Sequence, residues 1–156
     1  MKNKVIIFLL FIVSNFGALG LGVFLMNNGA DSDWYYNLNK APWTPEGWVF
    51  GTAWFSLMLS YAVYMVKLVA KFDMPNYKLI SLYAVQWVLN VSWNYFFFNQ
   101  HLIMIGLIVI ISLWLLIGYF TFKYVKKLKY ATLFILPYLV WMTIATSLNA
   151  YIVIYN

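Results

Sequence analysis

Apolar residues run along this chain in five long blocks, at about 5–26, 46–71, 77–99, 102–124 and 130–154, separated by polar joints. No block alternates with period two. Each is near the ~20 residues that a helix rising ~1.5 Å per residue needs to cross hydrocarbon. Backbone polar groups in lipid must be satisfied within the chain, which leaves helices or a closed barrel, and unbroken apolar runs select helices. The pattern predicts an all-α fold: an integral membrane bundle of five transmembrane helices, one domain spanning 1–156. Lys2 and Lys4 precede the first block as in a secretory signal, but the apolar stretch exceeds the ~7–15 residues of a signal core and no small-x-small site closes it. The first span is expected to be retained.

Composition agrees: with 65% hydrophobic and 9% charged residues, the polar sequence is too scarce to cover a soluble globule. Cysteine is absent, excluding disulfides, thiolate metal sites and thiol catalysis. The net charge of +6 is a topology signal. An alternating five-span path gathers Lys2, Lys4, Lys67, Lys71, Lys78, Lys123, Lys126, Lys127 and Lys129 on one side and leaves Lys40 with Asp31, Asp33 and Glu46 on the other. Positive-inside bias then places the protein in the cell membrane with a cytoplasmic N-terminus and an external C-terminus, and argues against nucleic acid as a partner. Such a rim also attracts anionic lipids, but insertion topology accounts for it without them.

The connection at 27–45 is longer than a bundle needs. Trp34, Tyr35, Leu38, Trp43 and nearby Trp48 give it aromatic surface, and Pro42 and Pro45 stiffen it, so it is expected to fold back as a lid over the bundle mouth. An interfacial aromatic belt is the alternative.

Polar residues within the spans are grouped. Gln86, Asn90, Trp93 and Phe97 recur on one helical stripe with Asn94 beside it, and Trp141, Ala145 and Asn149 form another beyond Pro137, which is expected to kink the last span. Asn15 and Asn149 read equally well as interhelical glue. Ala18 and Gly22, with Gly17 and Gly20, allow close helix approach, either internally or at a homodimer seam. Ile110 reads as lipid-facing.

No Asp, Glu, Arg or His lies at mid-span, which argues against an ion-coupled pump. The single histidine, His101, falls in a turn, so no histidine pair can ligate haem iron, and no metal site is expected. No hydrolytic constellation or phosphate-cradling loop is visible. An aromatic pocket with a few amides suits a flat, apolar ligand.

Three blocks carry a resemblance. The string Trp34-Tyr35-Tyr36-Asn37-Leu38-Asn39-Lys40-Ala41-Pro42-Trp43-Thr44-Pro45-Glu46-Gly47-Trp48-Val49-Phe50 with Trp54, the run Gln86-Trp87-Val88-Leu89-Asn90-Val91-Ser92-Trp93 with Phe97-Phe98, and Pro137-Tyr138-Leu139-Val140-Trp141 with Ala145, Leu148 and Asn149 resemble the tryptophan-rich sensory protein family, which includes the mitochondrial translocator protein or peripheral benzodiazepine receptor. The resemblance implies a five-helix membrane protein, often a homodimer. It would bind porphyrins and isoquinoline or benzodiazepine ligands in a pocket closed by the first loop, some members degrading porphyrin with light and oxygen. Together with the stripes it implies ligand contacts at Trp34, Tyr35, Trp43, Trp54, Asn90, Trp93, Trp141 and Ala145, with Asn90 offering its amide. Trp54 and Trp141 are then the candidate catalytic indoles, either donating electrons or only stacking. Porphyrin enters as ligand or substrate, and no cofactor is required. Pro45-Glu46 departs from the Pro-Pro pair of many relatives and Asn94-Tyr95 from the prolines of some, and no basic residue follows Tyr151, so a C-terminal cholesterol motif is not supported. The string Leu116–Tyr119–Lys123 meets that loose pattern by chance and carries no weight. Sensing by tetrapyrrole binding leads, passive carriage of porphyrins or other apolar metabolites is the alternative, and a purely structural scaffold is third.

Overall fold

The computed structural model describes residues 3–72 and 75–156, so Lys2 lies outside the described residues. Among these the fold is helical without strands: α1 (Lys4–Met26), a short α2 (Asp33–Tyr36), α3 (Gly47–Val69), α4 (Tyr77–Asn94), α5 (Ile103–Leu128) and α6 (Leu136–Tyr155). Side chains start three of them: Asn3 accepts from the Val5 and Ile6 amides, Ser32 from Tyr35 and Asn76 from Leu79. Asn27, His101 and Lys129 adopt positive φ at the joints, ending α1, preceding α5 and ending α5.

Four stretches among the described residues are long and apolar enough to cross a membrane: α1, α3, α6 and Ile103–Phe134, which α5 opens. α4 is not among them, because its amides and lysine dilute an 18-residue helix. Its path nevertheless continues through a π-helical turn, Tyr95–Asn99, in which the Gln100 amide donates to the Tyr95 carbonyl at 3.0 Å.

Neighbour relations close a ring: α1 packs on α3 and α4, α4 on α5, α5 on α6, and α6 returns to α3. Tyr61, Tyr64, Phe120, Tyr138, Met58 and Met65 fill the interior. The Tyr64 hydroxyl donates to the Phe120 carbonyl at 2.8 Å, and the Asn15 amide to the Met58 carbonyl at 3.0 Å. A smaller cluster, Phe97, Phe98 and Ile152, lies under the first loop with Trp34, Tyr35 and Leu38 packed on it.

Two expectations need correction. The last block is two elements: a 3₁₀ segment at Lys129–Phe134 precedes α6, and Pro137 occupies the first turn of α6 instead of kinking a continuous helix. In that place the missing N–H interrupts no helical bond and the fixed φ favours initiation. Ile110, read as lipid-facing, is 1% exposed. It lies on the inner face of α5 with Gly106, Leu113, Ile117 and Tyr124, a face that hydropathy cannot distinguish in a span apolar all round. The small residues of α1 are used partly inside: a Cβ on Gly22 would sit 2.7 Å from Asn94 Nδ2, whereas Gly17 and Gly20 face open space.

Candidate functional site

Opposite faces of the ring converge on Tyr138, which is 1% exposed. Gln86 and Asn90, one turn apart on α4, both donate amide hydrogens to its hydroxyl oxygen, at 2.9 and 2.7 Å. From α3, Trp54 meets the phenol edge-to-face at 6.1 Å, and Phe50, one turn earlier, meets Trp141 at 5.4 Å. Spacings of four on α3 and three on α6 put each pair on one helix face. Trp54, Asn90 and Trp141 therefore belong to one aromatic and amide assembly whose centre is Tyr138.

The nitrogen of Asn90, expected to be open to a ligand, is committed to Tyr138. Unpaired buried groups lie elsewhere: among the described residues the indole N–H of Trp141 has no acceptor, and the hydroxyls of Tyr61, Thr132 and Thr146 are likewise without partners. Leaving such a donor unmet costs about 1–3 kcal/mol, which an acceptor on a ligand would recover.

Toward the loop, Trp93 donates its indole N–H to Asn149 Oδ1 at 3.1 Å, and Asn149 donates to the Ala145 carbonyl at 3.0 Å. Trp93 stacks on Phe97, Phe97 meets Trp34 edge-to-face, and Trp34 stacks on His101 with ring centroids 4.1 Å apart. Tyr35 packs on Phe98, and desolvation pushes its phenol above the ordinary value of 10.0, so it is neutral at physiological pH. Lys40 donates to the Tyr35 carbonyl at 2.6 Å. Asn39 and Asn156 lock the loop to the end of α6: the Asn39 amide donates to Asn156 Oδ1 at 2.9 Å and Asn156 Nδ2 to the Asn39 carbonyl at 3.2 Å.

Trp43 is not brought into this assembly. It is 55% exposed, donates to Ser147 Oγ at 3.1 Å and rests on Tyr151 at the bundle rim. Conversely, Tyr138 and Phe50 were missed as site residues, although Tyr138 stands three residues before Trp141 on the stripe already marked. A lone hydroxyl opposite the α4 amides was the available signal.

The TspO/MBR family model matches residues 8–155. A tryptophan-rich sensory protein of Cereibacter sphaeroides is 32% identical over 117 residues, covering 75% of this chain and 73% of that protein. The tryptophan-rich protein TspO of Chlorobaculum tepidum is 31% identical over 122 residues, covering 76% and 77%. The human translocator protein is 28% identical over 125 residues, covering 78% and 74%. Matches of this extent, with four apolar helices, fit a multi-pass membrane protein, and the chain belongs to the TspO/MBR family.

Proposed function

We propose that this protein is a membrane receptor and sensor that binds porphyrins such as protoporphyrin IX, and flat drug-like ligands of the benzodiazepine and isoquinoline type, between α3, α4 and α6 under the first loop. In this reading α4 and its π turn form a fifth span, the loop is a lid, the protein works as a homodimer, and its lysine-rich end faces the cytoplasm. The observation that carries it is the unpaired indole N–H of Trp141, buried in an aromatic assembly already rich in ring edges and faces. Such surfaces suit a planar macrocycle, and the indole supplies a directed donor to it.

Under light the excited porphyrin takes one electron from the indole of Trp54 or Trp141 and passes it to dioxygen as superoxide, and the oxygen species formed beside the macrocycle oxidise its ring, so porphyrin degradation accompanies binding. Protoporphyrin IX should quench tryptophan fluorescence of the purified protein in a saturable titration without carrying porphyrin across liposomes. Saturable quenching together with flux favours the passive carrier, a reading that relatives named translocator protein keep in view; neither signal sinks both.

A further inference from the structure

The geometry points to a second site, on the outer face between α5 and α6, that holds an anionic phospholipid. An open groove of about 660 Å³ runs there along Trp114, Gly118, Phe122 and Lys123 of α5 and Leu139 and Thr143 of α6. Gly118 makes the space: a Cβ at that position would meet only Leu139 Cδ1, at 3.9 Å. Two of the polar groups along its length are already satisfied, since Trp114 donates to Thr143 Oγ1 at 2.9 Å and that hydroxyl donates to the Leu139 carbonyl at 2.9 Å. The walls therefore suit an acyl chain.

Charge enters at one end only. Lys123 closes the groove, Lys126 and Lys127 follow within the last turn of α5, and neither α5 nor α6 contains an acidic residue. From Trp114 to Lys123 the helix rises about 14 Å, close to half of a ~30 Å hydrocarbon layer. An acyl chain of one leaflet thus fills the groove while its phosphate reaches Lys123. A second copy docked symmetrically would set lysine against lysine, so charge complementarity favours the lipid. This site is separate from the Tyr138 assembly and does not depend on it.

The test uses the full chain in nanodiscs of equal phosphatidylglycerol and phosphatidylcholine, with retained lipid counted by native mass spectrometry after release into detergent. Phosphatidylglycerol should be retained about fivefold over phosphatidylcholine, the scale expected of one lysine near an anionic headgroup. Lys123→Gln should bring that ratio towards one. Gly118→Leu, which fills the groove, should lower both lipids, and Lys4→Gln, on α1, should change neither. Equal retention of the two lipids by the wild type overturns the proposal. So does a preference that survives Lys123→Gln, or one lost equally with Lys4→Gln.

Discussion

Tyr138 concentrates two amide donors on one buried oxygen, so its removal strands both. Tyr138→Phe should destabilise the protein by about 1–2 kcal/mol, the lower part of the range for unmet buried donors because polar contacts in membranes are weak. Denaturant titration in detergent measures this, and an unchanged midpoint would contradict the hub. Trp141→Phe should behave oppositely in the ligand-free protein. It keeps the ring facing Phe50 but deletes an unpaired donor, so the melting temperature should hold or rise while protoporphyrin affinity falls about threefold to tenfold, the worth of one hydrogen bond. Affinity retained in Trp141→Phe would leave that indole a packing residue. The stripes on α4 and α6 were legible from spacing alone because an amide on an apolar helix must turn inward. Which atom satisfies it was not legible, because partner choice depends on how α6 is rotated against α4, and no local pattern records that.

At the scale of elements, the first loop is held by ring contacts at one end and amides at the other. Gly29 lies under the first contact: a Cβ there would collide with Phe98 Cβ and stand 3.0 Å from Met26 Cγ. Gly29→Ala should lower stability by about 1–3 kcal/mol, as overpacking does, whereas Gly17→Ala, with nothing within 4 Å, should not. Thermal unfolding of the two variants side by side decides this; equal behaviour would mean that the loop shifts freely. Asn156→Ala removes both side-chain bonds to the Asn39 backbone and should speed proteolysis within the loop by about threefold. Long apolar runs located the helices well, since length and hydropathy act locally. They missed the break before α6 because residues 130–134 of the 3₁₀ segment contain no charge, glycine or proline to mark it, and a proline signals a helix start as readily as a kink.

The molecule as a whole is electrically lopsided, with most lysines near the N-terminus and around the α3–α4 and α5–α6 connections, where Asp73 is the one acid, and with Asp31, Asp33 and Glu46 against Lys40 alone in the first loop. Lys127 lies over the Phe72 ring at 3.9 Å, which ties the end of α3 to the end of α5. Because the chain has no cysteine, single cysteines report orientation without background. Asn37→Cys on whole cells should react with an impermeant maleimide, and Lys126→Cys only after permeabilisation; the reverse pattern would invert the topology.

The π turn at Tyr95–Asn99 bears on which changes in chain length this family member can tolerate. Its wide turn lets Phe97 stack on Trp93 while Phe98 meets Trp93 and Tyr35. The wide turn absorbs one residue more than an ordinary helix, so deleting Phe96, whose carbonyl accepts from the Leu102 amide at 2.9 Å, would let the turn close as an ordinary helix and rotate Phe97 and Phe98 away from their present places beside Trp93. The aromatic contacts to the loop would then be misaligned, although the deletion leaves hydropathy and helical content almost untouched. A one-codon loss here should preserve membrane insertion and still uncouple the loop from the bundle, while the same loss after Tyr124 would move Lys127 off the Phe72 ring and Leu128 out of the core.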